Sequence, residues 1–282
     1  MAELWKGAPA AKALTEKTAA RAAVLRDRGI APTLALVRVG AREDDLAYER
    51  AAVKRCQSCG VETRSVVLPE TASTAELIAV LRELNGDGSV HGVLLFRPLP
   101  GHIDDEAVRR AQAPEKDVDG VTDGSLAGVF AGTGTGFAPC TAEAVVVLLR
   151  HYGVKLDGAN AVVAGRSLVV GRPLSMLLLA AGATVTVCHS HTRDLASVTR
   201  GADIVVAAVG KRGFFGTEHF APGQAVADVG IHAAGDGSLC GDVRTDEAAA
   251  VVAGITPVPG GVGAVTTAVL ASHVVEAAER SA

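Results

Sequence analysis

Residues 159–191 constrain the fold of this chain more than any other stretch. Residues 161–164 are a short apolar run of the kind that forms a buried parallel strand. Apolar residues then recur at helical spacing over residues 170–181, and residues 184–188 form a second strand-like run. A strand, a helix and a strand within about thirty residues predict a βαβ unit, and therefore an α/β fold.

A glycine turn joins the first strand of this unit to its helix. The turn contains Gly165, Arg166 and Ser167. Gly171 and Pro173 follow in the first helical turn, where the missing N–H of proline leaves no hydrogen bond unmade. The free N–H groups and the positive dipole end of such a helix attract a phosphate. The pattern favours a dinucleotide ligand, although a βαβ unit without any ligand has the same pattern.

The end of the second strand distinguishes between the two nicotinamide cofactors. In the NAD version of this design, an acidic residue there holds the ribose 2′-hydroxyl. Here the strand instead ends in His189, Ser190 and His191, and Arg166 lies in the turn. Hydroxyl, imidazole and guanidinium groups accept a 2′-phosphate that a carboxylate would repel, so the sequence predicts NADP.

Composition excludes several classes of function. The 282 residues are 49% hydrophobic and 21% charged, which suits a folded protein of about two domains. A net charge of -4 argues against nucleic acid as the main partner. No apolar run reaches the roughly 18 residues of a membrane helix. The start of the chain has no signal-peptide pattern, so we expect a cytoplasmic protein without a membrane partner.

Five cysteines, an odd number spread along the chain, predict reduced thiols. Cys56 and Cys59 form a C-x-x-C pair, a spacing that zinc and redox sites also use. The other cysteines are single. Two cysteines on consecutive turns of one helix are therefore the simpler interpretation, and we expect no metal site.

The remainder of the chain alternates between strand-like and helical patterns. This predicts an α/β layer with a largely parallel sheet in the first half. Helices are predicted over residues 8–28, 43–59, 74–84, 141–152 and 264–279. Strands are predicted over residues 33–39, 62–68, 90–96, 203–209 and 225–229. Residues 125–138 are rich in glycine and are expected to be a weakly structured crossing between domains.

Three loops have compositions suited to ligand binding. Residues 97–101 contain two prolines, residues 114–120 place two carboxylates before a glycine, and residues 256–263 combine two prolines with three glycines. Ligands of open α/β sheets bind beyond the carboxyl ends of the strands, where such loops collect. The first two loops are equally compatible with rigid turns. The third suits close approach of the backbone to a flat ligand or cofactor.

These segments together resemble the bifunctional methylenetetrahydrofolate dehydrogenase/methenyltetrahydrofolate cyclohydrolase family, called FolD, over nearly the full chain. Six motifs occur in the family's order. They are Pro98-Leu99-Pro100, Lys116-Asp117-Val118-Asp119-Gly120, Pro139-Cys140-Thr141, Gly165-Arg166-Ser167 with Val170-Gly171 and Pro173, Asp228-Val229-Gly230-Ile231, and Thr256 to Gly263.

The resemblance implies an N-terminal α/β folate-binding catalytic domain and a C-terminal Rossmann-like NADP-binding domain, with a cleft between them. The expected bounds are residues 1–138 with 265–282 for the first domain and residues 139–264 for the second. A homodimer formed through the Rossmann domains is also implied. The family passes hydride from 5,10-methylenetetrahydrofolate to NADP, and water then opens the methenyl cation to 10-formyltetrahydrofolate.

The resemblance also assigns site residues. Asp119 matches the acid that grips the amidine edge of the pterin, Tyr48 matches the tyrosine near the pterin, and these two are the expected catalytic residues. The expected substrate-binding residues are Tyr48, Ala52, Phe96, Arg97, Pro98, Leu99, Asp119, Pro259, Gly260 and Gly261. The expected cofactor-binding residues are Gly165, Arg166, Ser167, Gly171, Pro173, His189, Ser190, Val209, Gly210, Ile231, Gly263 and Thr266.

The helix that carries Tyr48 departs from the family pattern. The family has a lysine four residues after this tyrosine, and that lysine does the acid/base work, but this chain has Ala52. On a helix, the family's lysine position lies about 40° around the axis from Tyr48. Lys54 lies about 240° and Arg50 about 160° around the axis, so neither replaces the lysine. Phe96 stands where the family has the glutamine that hydrogen-bonds this lysine.

Loss of both members of one polar pair predicts the loss of one activity. Hydride transfer needs two aligned carbon atoms and no protein proton donor, whereas hydration and ring opening need proton transfers. We therefore predict a dehydrogenase with weak or lost cyclohydrolase activity. Two alternatives remain. One is an NADP-dependent oxidoreductase diverted to another imine or cyclic amine, motivated by Phe96 and Arg97, and the other is a non-catalytic protein that binds NADP or folate.

Overall fold

The structure is a computed structural model, and it describes residues 2–233, 235 and 237–282. Within these residues the chain divides into two compact units. The N-terminal unit comprises Lys12–Cys140 and Thr267–Ala282. The C-terminal unit comprises residues 2–11 and Thr141–Thr266.

Strands and helices alternate along most of the described chain. The strands are β1 (Glu3–Leu4), β2 (Thr33–Val39), β3 (Glu62–Leu68), β4 (Gly92–Leu95), β5 (Asn160–Ala164), β6 (Thr184–Cys188), β7 (Ile204–Ala207), β8 (Ala225–Asp228), β9 (His232–Ala233), β10 (Leu239–Cys240) and β11 (Gly254–Ile255). The helices are α1 (Gly7–Asp27), α2 (Glu43–Cys59), α3 (Thr74–Gly86), α4 (Asp105–Ala111), α5 (Asp123–Ala131), α6 (Cys140–His151), α7 (Gly171–Ala180), α8 (Leu195–Arg200), α9 (Thr245–Ala248) and α10 (Gly263–Arg280).

The N-terminal unit is built on a parallel sheet in the order β3-β2-β4. Val37 of the central strand β2 pairs with β3 on one side and with β4 on the other, and it is fully buried. Leu77 and Leu81 of α3 belong to the same apolar core. The start of α3 is fixed by a capping box in which Ser73 and Glu76 each accept the other's backbone N–H. The predicted parallel sheet of the first half is confirmed.

The C-terminal unit has a parallel sheet in the order β1-β11-β8-β7-β5-β6. Its segment β5-α7-β6 is the βαβ unit predicted from the sequence. After β6 the chain crosses back over β5 and forms β7 on the other side of it, so a topological switch point lies between β5 and β7. Ligands of doubly wound sheets bind at such a point, beyond the carboxyl ends of the strands.

Residues 125–138 were expected to be weakly structured, and this expectation is wrong for the first part of the segment. Much of this stretch lies in α5, whose first turn is capped by the Thr122 hydroxyl accepting the Ser125 N–H at 3.2 Å. A Cβ on Gly128 would lie 2.0 Å from the Thr135 carbonyl oxygen. The glycine therefore serves close packing, whereas its presence in the sequence suggested a flexible crossing.

The first residues of the chain lie in the C-terminal unit, although the expected N-terminal domain began at residue 1. β1 pairs in parallel with β11, and the Trp5 N–H donates to the Ile255 carbonyl at 2.8 Å. The Trp5 ring also stacks on Tyr152, with centroids 5.5 Å apart. A strand of two residues has no measurable period, so no local pattern predicts this attachment.

Cys56 and Cys59 are both buried on α2, as the helical interpretation of this pair requires. Burial, with a smaller effect of Cys59, raises the pKa of the Cys56 thiol to about 12, which makes it unreactive. Within residues 2–233, 235 and 237–282, no group of three or more His, Cys, Asp or Glu is arranged to hold a metal ion. The same residues include no helix that is both long and apolar enough to cross a membrane.

Candidate functional site

A cavity of about 290 Å³ opens at the carboxyl ends of β5, β6 and β7. It lies at the switch point of the sheet, where the segments that follow these three strands meet. Its lining is Ala164, Gly165, Arg166, Ser167, Cys188, His189, Ser190, Leu195, Ala208, Val209, Lys211 and Phe214. Half of the expected cofactor-binding residues are thus brought together around one cavity.

Two glycines allow a tight turn beneath this cavity. Gly165 has φ +142°, and a Cβ there would lie 2.2 Å from the Ala208 carbonyl oxygen. A Cβ on Gly171 would lie 2.1 Å from the Gly165 carbonyl oxygen, so the first residue of α7 packs directly on the turn. The Ser167 hydroxyl accepts the N–H groups of Val170 at 3.1 Å and Gly171 at 3.4 Å. The turn and the start of α7 therefore form one rigid piece.

The polar groups of the cavity suit an anionic ligand. Arg166 supplies a guanidinium, Ser167 and Ser190 supply hydroxyls, and none of the described lining residues is Asp or Glu. Charge-assisted hydrogen bonds from such donors are strong, and a planar guanidinium matches a phosphate group. This set of donors fits the 2′-phosphate of NADP, as predicted from the end of the second strand.

Sequence reasoning missed half of this lining, including Lys211 and Phe214. Lys211 adds a second basic group, and its Nζ atom lies 5.7 Å from the ring centroid of Phe214. The signal that could have identified Lys211 is its place directly after Gly210, beyond the carboxyl end of β7 and next to the βαβ unit.

The remaining expected cofactor residues occupy other places in the C-terminal unit. Pro173 is buried in α7, where it shapes the start of the helix. Ile231 is exposed after β8, and a Cβ on Gly263 would lie 3.7 Å from its Cδ1 atom. The Thr266 hydroxyl donates to the Gly263 carbonyl at 3.0 Å in the first turn of α10. Gly210 has φ +67°, a backbone conformation that favours glycine over other residues.

In the N-terminal unit, Tyr48 and Ala52 lie one turn apart on α2. Ala52 is fully buried, whereas Arg50 and Lys54 are exposed, as the helical angles required. Phe96 is also buried, and its ring meets the Tyr48 ring edge-on, with centroids 6.1 Å apart and planes at 81°. The surroundings of Tyr48 therefore include the methyl group of residue 52 and the aromatic ring of residue 96.

The loop after β4 is held by the start of α2. Arg42 donates to the Pro98 carbonyl at 2.7 Å and also pairs with Asp45 at 3.5 Å. Leu99 is partly buried and packs against the apolar core of the sheet. These contacts fix the Pro98-Leu99 segment and engage the Arg42 guanidinium.

Arg97 forms an ion pair with Asp105 at the start of α4. Burial and the charge of Arg109 lower the pKa of the Arg97 guanidinium, while Asp117 and Asp119 act in the opposite direction. Its Nε and Nη2 atoms are buried and have no hydrogen-bond partner among the described residues. Buried donors without partners are rare in native proteins and favour an acceptor supplied by a ligand.

The two carboxylates of residues 114–120 have different environments. Asp117 is fully buried and accepts hydrogen bonds from the Val121 N–H at 3.1 Å, the Thr122 N–H at 2.7 Å and the Ser125 hydroxyl at 2.7 Å. Asp117 therefore stabilises the loop and the start of α5. Asp119 is only partly buried.

Asp119 has the electrostatic signature of a functional carboxyl group. Burial and, to a smaller extent, the nearby charge of Asp117 together raise its pKa to about 6. A hydrogen bond from Cys140 and the charges of His273 and Arg97 oppose this shift. The group therefore changes charge close to neutral pH, which is common at binding and catalytic sites.

Pro259, Gly260 and Gly261 lie in the C-terminal unit, just before α10. Gly260 has φ +93°, and its carbonyl accepts the Gly7 N–H at 2.8 Å. A Cβ on Gly261 would lie 2.4 Å from the Pro257 carbonyl oxygen. Both glycines are therefore required by the turn, in keeping with the stiff segment expected from the sequence.

Two family models match most of the chain. The model described as tetrahydrofolate dehydrogenase/cyclohydrolase, catalytic domain, matches residues 5–119. The model described as tetrahydrofolate dehydrogenase/cyclohydrolase, NAD(P)-binding domain, matches residues 139–282. The second match includes the cavity at the ends of β5, β6 and β7.

Curated relatives and solved structures agree with these matches. Bifunctional protein FolD 1 of Desulfitobacterium hafniense (strain Y51) is 46% identical over 277 residues, which cover 98% of this chain and 99% of the relative. Bifunctional protein FolD of Clostridioides difficile (strain 630) is 47% identical over 275 residues, which cover 98% of this chain and 96% of the relative.

Among the solved structures, the FolD enzyme of Campylobacter jejuni superposes with a TM-score of 0.95 at 36% identity, covering 99% of both chains. The FolD enzyme of Trypanosoma brucei, complexed with NADP cofactor and inhibitor, gives a TM-score of 0.91 at 37% identity, covering 99% of this chain and 98% of its own. This chain therefore belongs to the tetrahydrofolate dehydrogenase/cyclohydrolase family, the FolD enzymes.

Proposed function

We propose that this enzyme oxidises 5,10-methylenetetrahydrofolate to 5,10-methenyltetrahydrofolate with NADP and has weak or no cyclohydrolase activity. Membership of the FolD family supports the first part. The second part is carried by one observation. Ala52 is fully buried one helical turn after Tyr48, and Phe96 packs on Tyr48, at the positions where the resemblance implies a lysine and a glutamine.

NADP is the cofactor, and when bound it accepts the hydride. We infer that Arg166, Lys211 and Ser190 hold its 2′-phosphate by charge-assisted hydrogen bonds. The two glycines of the Gly165–Gly171 turn allow its close backbone packing, and the N–H groups at the start of α7 that follow this turn suit the pyrophosphate. The Trypanosoma brucei relative was solved in complex with NADP, which supports NADP as the cofactor.

The N-terminal unit supplies the groups for the folate. The Asp119 carboxylate offers two acceptor oxygens, which suits the N–H donors of the pterin amidine edge. The unpartnered Nε and Nη2 donors of Arg97 suit an acceptor on the same substrate. The rings of Tyr48 and Phe96 offer apolar surface to the pterin and the one-carbon unit. These groups bind and orient the substrate, and alignment is what hydride transfer requires.

Hydrolysis of the methenyl cation needs a group that moves protons at the reacting carbon. Arg50 and Lys54 of α2 are exposed, and Arg42 is engaged with Asp45 and Pro98. A guanidinium is in any case too weak an acid to exchange a proton at neutral pH. General acid/base groups contribute about 10²- to 10⁴-fold, so we expect the hydrolytic step to be slower by a factor of this order.

We further propose that the N-terminal unit binds the folate, that the C-terminal unit binds NADP, and that the enzyme is a homodimer formed through the C-terminal unit. β6 is an edge strand of the sheet, and Val187 on β6 and Leu179 on α7 are exposed apolar residues. Sheet edges with exposed apolar side chains favour association. Light scattering should give the mass of two chains. The mass of one chain at micromolar concentration would contradict the dimer.

The wild-type enzyme can be tested with both reactions in one cuvette. Formation of reduced cofactor and of methenyltetrahydrofolate is followed after adding 5,10-methylenetetrahydrofolate and NADP, and the decay of the methenyl absorbance is then compared with its uncatalysed decay. We expect rapid reduction of NADP and decay close to the uncatalysed rate. Absence of NADP reduction would contradict the dehydrogenase assignment, and fast decay would contradict the loss of hydrolysis.

A further inference from the structure

One buried carboxylate binds three consecutive backbone N–H groups beside the cofactor cavity. Asp242 is fully buried. Its Oδ2 atom accepts the N–H groups of Val209 at 2.6 Å and Gly210 at 3.0 Å, and its Oδ1 atom accepts the Lys211 N–H at 2.8 Å. The segment that follows β7 is therefore wrapped around this carboxylate, which fixes its backbone conformation.

His232 supplies a fourth hydrogen bond to the same carboxylate. Its Nε2 atom lies 2.8 Å from Asp242 Oδ1. A carboxylate bound by backbone N–H groups offers only acceptor oxygens, so Nε2 is the donor. The His232 side chain is 22% exposed, which means that one side of the pair reaches solvent next to the exposed Ile231.

A second buried carboxylate holds Asp242 itself in place. Asp228 Oδ1 accepts the N–H groups of Asp242 and Gly230, each at 3.0 Å, and its Oδ2 atom accepts the Val243 N–H at 2.9 Å. A Cβ on Gly230 would lie 2.5 Å from Asp242 Oδ1, and one on Gly241 would lie 1.9 Å from Asp228 Oδ2. These two glycines allow the backbone to pack closely on the two carboxylates.

The segment held in this way contributes to the cavity. Val209 and Lys211 both line it, and their segment after β7 is next to the segment after β5 that carries Arg166. A change in the hydrogen bonding of Asp242 would therefore move the Val209 backbone and the origin of the Lys211 side chain. Residues of the N-terminal unit take no part in these hydrogen bonds.

We propose that Asp242 and His232 are positioning residues for NADP, which hold the Val209–Lys211 segment in its cofactor-binding conformation. The inference rests on the proposed cofactor site. On this proposal, part of the affinity for NADP depends on His232, which does not line the cavity. Loss of the His232 hydrogen bond should weaken NADP binding and leave the affinity for the folate unchanged.

The test compares His232→Leu, which removes the donor, with His232→Gln, whose amide nitrogen takes the place of Nε2. His151→Leu, at an exposed histidine at the end of α6, is the matched control. NADPH binding is measured by calorimetry, and the KM of the folate and amide hydrogen exchange at residues 209–211 are measured on the same samples. We expect about ten-fold weaker NADPH binding and faster exchange for His232→Leu, because a hydrogen bond to a charged group is lost.

His232→Gln and His151→Leu should bind NADPH with close to wild-type affinity, and all variants should keep the folate KM. Wild-type affinity in His232→Leu, or equal weakening by His232→Gln, would overturn the positioning role alone. Failure of the wild-type protein to bind NADPH would overturn the cofactor site as well. Asp242→Asn is a second variant, and it should weaken NADPH binding further because its NH₂ group must face backbone donors.

Discussion

The ring of Phe96 meets the ring of Tyr48 edge-on, with centroids 6.1 Å apart. Ala52, whose methyl group is buried, follows Tyr48 by one turn of α2. A lysine at residue 52 would need a polar partner in this environment, and Phe96 offers none. Ala52 and Phe96 are therefore compatible with each other, whereas a lysine at residue 52 or a glutamine at residue 96 alone would be buried without a polar partner.

Phe96→Gln alone should destabilise the enzyme without restoring hydrolysis. The new amide would be buried where Phe96 now packs on the Tyr48 ring, and a buried amide whose hydrogen bonds are not all made costs about 1–3 kcal/mol. Phe96→Leu is the matched control, since it shortens the side chain without adding a polar group. Urea unfolding should place the Gln variant below the Leu variant in free energy of unfolding. Equal stability of the two would contradict the apolar character of this position.

The affinity for the folate should depend on the ionisation of Asp119. Its pKa is raised to about 6, mainly by burial. The carboxylate that, in our proposal, accepts the pterin N–H groups is therefore present above this pH and lost below it. The kcat/KM for the folate, measured at saturating NADP, should fall as the pH decreases through about 6.

Asp119→Asn provides the control for this profile. The variant should lose about 10- to 100-fold in kcat/KM, because a charge-assisted hydrogen bond is replaced by a weaker one. Its remaining activity should not show the inflection near pH 6. A wild-type profile that is flat between pH values of about 5 and 8 would exclude Asp119 as the group that binds the pterin in its ionised form.

Arg166→Gln should reduce the preference for NADP over NAD. The guanidinium lines the cavity and, in our proposal, donates to the 2′-phosphate that NAD lacks. The ratio of kcat/KM values for the two cofactors should fall by about 10- to 100-fold. Arg172→Gln, at an exposed arginine on α7, should leave the ratio unchanged. If the Arg166 variant also kept the wild-type ratio, the 2′-phosphate would have to bind elsewhere.

Gly171→Ala should destabilise the turn at the start of α7. The added Cβ would lie 2.1 Å from the Gly165 carbonyl oxygen, and overpacking of this kind costs about 1–3 kcal/mol. Binding of NADP should weaken together with the free energy of unfolding. Gly86→Ala in α3 is the control, since a Cβ there meets no atom within 4 Å. Thermal unfolding with and without NADP measures both effects, and equal melting temperatures for the two variants would contradict the close packing.

Long elements with a strong period could be predicted from the sequence. The bounds of α2, β2 and β3 agree with the predictions residue for residue, because clear apolar patterns end there at glycine or proline signals. β1 and β11 could not be predicted, since two residues have no period. α5 was missed because the glycines that allow its close packing also resemble those of a flexible loop.

The candidate site was predictable to a similar degree. Residues with a motif, such as Arg166 and Ser190, were identified and line one cavity. Lys211 was missed because its role depends on the neighbouring position of β7 and β5, which only the sheet order reveals. The hydrogen bonds of Asp242 join segments about thirty residues apart, and no local pattern reports such contacts.

The central claim is that this enzyme lacks the amine that moves protons during hydrolysis, and one gain-of-function measurement tests it most directly. Methenyltetrahydrofolate hydrolysis is measured for the wild type, for Ala52→Lys with Phe96→Gln, and for Ala52→Met with Phe96→Gln as a control without charge. The account predicts that the lysine pair accelerates hydrolysis by about 10²- to 10⁴-fold over the wild type and that the methionine pair does not. Wild-type hydrolysis as fast as its own NADP reduction, unchanged by the lysine pair, would contradict the claim.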